Sequence, residues 1–391
     1  MAQKTWTLLD GQHNLFGGDG VVIDASDVGG SQQGYVIKAW TEHAGLSQGV
    51  QRVSIDNGTL TVDVLPTRGM SLWRAAYAGA NGEEFLGWKS PVRGPVHPAY
   101  VPLSEASGLG WLDGFDELLV RCGLESNGAP DFDASGQLKY SLHGRIGNRP
   151  AHFVQLSVDG DTGEITLVGE VEECRFHFLK LRLRSTIRTR LNSNILEITD
   201  EVINLSASRA EIQLLYHVNF GSPLLDAGAQ VVAAPQRVVP RNDHAAEGIA
   251  SWHHFGAETA GFAEQVYFLE LFADEQHKTR TLLKNAHGTR GASLVYDTRQ
   301  LPYFSLWKNT TAVEDGCVTG LEPGTNFPNP RSFEGTHGRT VPLKGRASAR
   351  FELTLAYHPD EESVTEAEQA IRRLQTSPPQ VANRPDANWC A

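Results

Sequence analysis

Apolar and polar residues alternate in segment after segment of this chain, and a period of two leaves little room for anything but β-structure. Leu60, Val62 and Val64 take one face of a segment whose other face holds Thr61 and Asp63. Leu179, Leu181 and Leu183 alternate with Lys180, Arg182 and Arg184, and the Ser185-Thr186 pair that follows is a point where a bulge is expected. Phe351, Leu353, Leu355 and Tyr357 alternate with Glu352 and Thr354. DG, NG, GG and PG pairs separate these runs, as antiparallel turns do. The pattern predicts an all-β protein, a large antiparallel β-sandwich. Gly and Pro are spread along the whole length without collecting into a linker, so residues 1–391 are read as a single domain with its core over about 50–360. One segment breaks the period. In EESVTEAEQAIRRLQ, Val364, Ala367, Ile371 and Leu374 form an apolar stripe, which predicts a short C-terminal helix over about 363–375, with Ser363 and Glu366 as a capping box. Pro378 and Pro379 stop it, and the tail 376–391 has no period and is expected to be irregular.

A formal net charge of −12 argues against nucleic acid and anionic membrane surfaces as partners, because both need a concentrated positive field. Cys122, Cys174, Cys317 and Cys390 lie far apart with no CxxC pair, the pattern of isolated reduced thiols. The opening MAQKTWTLLDGQHNLFGG lacks a basic segment followed by an apolar run, and no stretch approaches the ~20 apolar residues of a membrane helix. A cytoplasmic location is expected. No P-loop and no dinucleotide fingerprint occurs, so no cofactor is expected.

Three stations place ionisable groups beside turn-forming residues at the ends of apolar runs: SLHGRIGN, LLYHVNFGSPLL and TGLEPGTNFP. In the first, His143 and Arg145 flank Gly144, where a histidine could equally cap a turn. In the second, His217 and Asn219 share one face of an apolar strand, which suits either a lined pocket or a satisfied buried pair. In the third, Glu322 ends an apolar run and is followed by Pro323 and Gly324. A carboxylate there is costly to desolvate unless it binds or reacts, although a surface glutamate at a strand end is also common.

Taken in order with RGM at Arg68, GFDELLVRCGL from Gly114 and EQVYF from Glu264, these segments resemble the aldose 1-epimerase (galactose mutarotase-like) superfamily, in a less characterised branch. The resemblance implies a large antiparallel sandwich with a sugar cleft. It also implies His217 as general acid, Glu322 as general base, and His143 and Arg68 as groups that hold the sugar. Where better-known members carry a Gly-aromatic-Asp-His segment that binds sugar hydroxyls, this chain has GFAEQVYF, which offers Glu264 and Gln265 instead.

Anomer exchange removes a proton from the C1 hydroxyl and delivers one to the ring oxygen. The expectation is that Glu322 takes the first, His217 gives the second, and the two stand on opposite sides of a sugar-sized gap with His143 nearby. Asn219, Trp307 and Lys308 are candidate pocket residues, with a core tryptophan beside a snorkelling lysine as the plainer reading of the last two. Arg68, Arg121, Arg145 and Lys308 near the stations could favour an acidic or phosphorylated sugar, or simply neutralise Asp116, Glu117 or Glu125. The partner expected is a small sugar, with a homodimer left open. Two alternatives remain at this point: a non-catalytic sugar-binding protein, and a metal-dependent isomerase or lyase with His143, His217 and Glu322 as ligands. The spacing offers no compact metal motif, and no metal is expected.

Overall fold

The computed structural model describes residues 2–79 and 82–391, and among them the chain forms two large sheets, of ten and fourteen strands, with four short α-helices. The alternating runs form the strands that the pattern predicts. Leu60–Leu65 and Ser348–His358 are strands, and Lys180–Arg190 buries Leu181, Leu183 and Ile187 while its arginines face outward. No bulge occurs at Ser185 and Thr186. Pairing runs unbroken to Gly169 and Val168 on one side and to Asp200 and Thr199 on the other, because Ser185 fits the inner face beneath Arg121.

The ten-stranded sheet is a meander, Ala151–Asp159, Glu164–Cys174, Lys180–Arg190 and Ile195–Asn204, continued by Ser348–His358, Gly291–Asp297 and Lys278–Lys284. The other sheet orders Gln265–Leu271, Tyr303–Asn309, Val318–Gly324, Ala210–Phe220, Leu119–Leu124, Ser71–Gly79 and Leu60–Leu65 through its middle. Between them lies a continuous apolar core that joins Val62, Leu72 and Leu214 of one sheet to Leu156, Leu167 and Leu353 of the other. Arg121 crosses this core as a fully buried bidentate partner of Asp200 and also donates to Met70 O and Ser185 Oγ.

Three boundaries differ from expectation. Sheet structure starts at Gln3–Asp10, which pairs with Ala151–Asp159, so the core reaches well before residue 50. The C-terminal helix is Glu361–Leu374, and its N-cap is Asp360, which accepts from Ser363 N; Ser363 sits inside the first turn, so the expected Ser363–Glu366 box does not form and the cap lies three residues earlier. The tail is docked. Gln380–Val381 pairs in parallel with Pro235–Pro240, and Trp389 packs its ring 4.7 Å from that of Phe327. Aromatic burial substitutes there for the periodic pattern that a reader of the sequence would look for. No helix among the described residues is long and apolar enough to cross a membrane.

Candidate active site

Antiparallel pairing of Ala210–Phe220 with Val318–Gly324 sets Val218 against Leu321 and Asn219 against Gly320. The same register puts His217 directly across from Glu322, and directly opposed residues project from the same face. Their side chains meet, with His217 Nε2 3.2 Å from Glu322 Oε1, and both are nearly enclosed, at 5% and 3% side-chain exposure. The expected common hollow is therefore present. The expected gap between acid and base is not: the two stand side by side.

Hydrogen bonding fixes the histidine's tautomer. Asn219 Nδ2 donates to two carbonyls, Glu117 O and His217 O, so its Oδ1 must face the imidazole, 2.5 Å from Nδ1. Nδ1 then carries the hydrogen, and Nε2 is left as the working nitrogen beside Glu322. Burial holds His217 well below the ordinary histidine range, with His143 adding to the shift. Burial pushes Glu322 up to about 8, helped by the charge of Glu264 and opposed by Arg241. Glu322 Oε1 has no aligned hydrogen-bond partner among the described residues, and a buried acceptor in that state invites a ligand.

The cleft above this pair has a volume of about 240 Å³. Trp111, Phe115 and Trp307 wall it, with ring centroids 6.2, 5.3 and 5.4 Å from that of His217. His143 lines it too, 5.1 Å from His217 between ring centroids, with Nδ1 donating to Asn127 O and burial lowering its pKa to about 4. Its backbone is left-handed, φ 55°, a conformation a non-glycine residue holds only when its surroundings impose it. Glu264 and Arg241 complete the polar lining. They face each other at 3.6 Å, and Trp307 Nε1 donates to Glu264 at 2.7 Å.

Other expected residues lie elsewhere. Arg68 is fully buried below the cleft, with its guanidinium consumed by Glu117, Val96 O, Asn148 Oδ1 and Gly114 O, so it holds protein and not sugar. Asn219 is buried behind His217 and positions it. Strand alternation turns Gln265 and Lys308 to the face opposite Val266 and Trp307. There Gln265 accepts from Tyr267 Oη and Lys308 donates to Ser251 O and His254 O, while burial lowers the lysine to about 8. Arg145 and Arg121 do not line the cleft either; Arg145 lies beside buried Glu173, and Arg121 is committed to Asp200. Sequence reasoning missed Trp111, Phe115 and Arg241. The first two had a signal, aromatics inside GLGWLDGF where glycines permit a tight 3-10 turn, Gly110–Gly114; Arg241 had none. Among the described residues, no three His, Cys, Asp or Glu side chains are gathered as metal ligands would be.

The sequence profile of a family described as "Domain of unknown function (DUF4432)" matches residues 47–357. The chain belongs to this family. It also belongs to the galactose mutarotase-like superfamily. A protein of Klebsiella pneumoniae subsp. pneumoniae MGH 78578, provisionally named an aldose 1-epimerase, is 35% identical over 98% of this chain and 99% of its own, with a TM-score of 0.94. Two more distant structures share this chain's fold. A galactose mutarotase-like protein of Clostridium acetobutylicum is 14% identical over 82% of this chain and 98% of its own, TM-score 0.56. The galactose 1-epimerase of Lactobacillus acidophilus NCFM is 12% identical over 82% and 98%, TM-score 0.52. No curated protein matches the chain.

Proposed function

We propose that this protein interconverts the anomers of a neutral aldose by acid/base ring opening, with His217 and Glu322 as the proton-handling pair. The observation that carries the reading is their adjacency. The hydroxyl that must lose a proton and the ring oxygen that must gain one are bonded to the same carbon, so an acid and a base side by side match the reaction better than a pair facing across a gap. Burial disfavours charge on both groups, so near neutrality the pair holds one mobile proton. Either arrangement of that proton presents one acid and one base. In the direction of opening, Glu322 takes the hydroxyl proton and His217 protonates the ring oxygen. The open aldehyde then coexists with neutral Glu322 and neutral His217, the pattern burial favours, and rotation about the C1–C2 bond precedes closure on the other face.

Trp111, Phe115 and Trp307 offer apolar planes to the C–H faces of a sugar, while His143, Glu264 and Arg241 offer hydrogen bonds to its hydroxyls. Arg241 is the one Lys or Arg among the lining residues and is already opposed by Glu264, which favours a neutral sugar over an acidic one. The test is polarimetry or exchange NMR on a panel of aldoses. His217→Ala and Glu322→Gln should each slow catalysed exchange by about 10²-fold or more while keeping a cooperative unfolding transition. Near-normal rates in either variant, or a wild-type protein that binds a sugar without accelerating exchange, would overturn the assignment.

A further inference from the structure

A second cavity, of about 510 Å³, opens on the far side of the Phe115 wall, between the strand Ser71–Gly79 and the loop over residues 88–94. Its size falls within the range of roughly 300–1,000 Å³ usual for small-molecule sites. Asp116 lines it and is 7% exposed, with Oδ2 accepting from Trp73 Nε1 at 2.8 Å and Oδ1 without a partner among the described residues. The loop reaches this carboxyl only because residue 94 is glycine; a Cβ there would overlap it. Around the same cavity stand Arg74, Lys89 and Arg93, all exposed, and none has a carboxylate within salt-bridge distance among the described residues. The Arg74 guanidinium lies over the Trp73 ring, 3.5 Å from its centroid. In a chain with 46 acidic and 34 basic residues, three unpaired cations about one hollow are not expected from composition.

We propose that this cavity is a second binding site, separate from the His217–Glu322 cleft, that takes a small polyol bearing an anionic group, such as a sugar phosphate. The two ends of the site ask for different chemistry. The buried carboxyl at the floor lacks a partner on Oδ1, and a ligand hydroxyl supplies one in either state, donating to the carboxylate or accepting from the protonated acid. The exposed guanidinium and ammonium groups at the rim suit an anion, and Arg in particular suits phosphate or carboxylate oxygens. Burial and neighbouring Glu117 raise Asp116 to about 7, so its own charge does not forbid an anion nearby. The inference does not depend on the reaction proposed for the cleft.

Two indoles make the sites separately readable: Trp73 Nε1–H is bonded to Asp116 in this cavity, and Trp307 Nε1–H to Glu264 in the cleft. Their ¹⁵N–¹H resonances would be followed in the full chain during titration with glucose 6-phosphate, inorganic phosphate and glucose. The expected result is a saturable shift of the Trp73 resonance with glucose 6-phosphate, a weaker response to phosphate and none to glucose. Arg74→Ala combined with Arg93→Ala, both on the surface, should weaken glucose 6-phosphate binding about tenfold or more, and Asp116→Asn should bring its affinity toward that of phosphate. A sugar phosphate that moves only Trp307 or neither indole, an affinity unchanged by the double variant, or phosphate or glucose binding as tightly as glucose 6-phosphate would each overturn the proposal. If Asp116→Asn fails to fold, the double variant still decides it.

Discussion

Glu322 places opposite demands on stability and on chemistry. An unfolded glutamate is ionised above about pH 4.5, whereas folded Glu322 keeps its proton to about 8, so across that window the unfolded chain binds fewer protons and stability falls as pH rises. Glu322→Gln, slowed in catalysis by the reading above, should therefore be more stable than the wild type at pH 7.5, by on the order of 2 kcal/mol, and the gain should vanish near pH 4; thermal melts at both values check this. The same pair sets the activity profile. The rate should fall on the alkaline side near pH 8, where the pair loses its one mobile proton, and on the acid side only well below 6.5, where His217 takes a second. An alkaline limb above pH 10 would show that another group sets it. Arg68 gives a contrasting case. Because it pairs with Glu117 and touches no sugar, Arg68→Ala should cost about 3–5 kcal/mol in denaturant unfolding, through a carboxylate left buried and unpaired, before it changes KM.

At the scale of the strand, the site is a matter of register. His217, Glu322 and the small Gly320 lie on one face of neighbouring strands, and a Cβ on Gly320 would overlap Glu322 Oε1 and stand 3.1 Å from His217 Cε1. Gly320→Ala should lower kcat by ~10²-fold with far-UV circular dichroism unchanged, since the sheet tolerates alanine but the carboxyl must move. Register also explains what the sequence could not disclose. The strands that alternate cleanly, such as Lys180–Arg190, have one face in water, whereas Leu119–Leu124, Ala210–Phe220 and Val318–Gly324 are covered by the other sheet behind and by the cleft's loops in front. Their burial is continuous, so periodicity says little about which residues face the sugar. His217 and Asn219 were placed on one face by counting in twos, but nothing local distinguishes Asn219, which positions the ring, from a residue that binds substrate. For Trp307 and Lys308 the sequence suits a pocket pair as well as a core tryptophan beside a snorkelling lysine, and only alternation across a defined strand assigns the first to the cleft and the second to the opposite face.

At the scale of the whole molecule, the sandwich was legible from alternation and turn chemistry because most of its strands are half-exposed. The docked tail was not, because Trp389 is recruited singly, without a repeating pattern. It nonetheless closes the back of Phe327, next to the loop that follows Glu322, so Trp389→Ala should cost about 3–5 kcal/mol in a single cooperative transition, measured by denaturant titration. The two sheets are also pinned to each other by Arg121, on the strand beside His217's, and Asp200, on Ile195–Asn204 of the other sheet, so loosening the core and misplacing the imidazole are not independent events. Apart from Trp307, which stands on the strand Tyr303–Asn309, the walls are built differently. Trp111 and Phe115 come from a short turn, and Arg241 and Glu264 from the ends of connections outside the paired strands. A lineage could therefore change its diet by editing those connections alone, inheriting the proton-moving strands untouched. Descendants that prefer different sugars should diverge most where the backbone leaves the sheet.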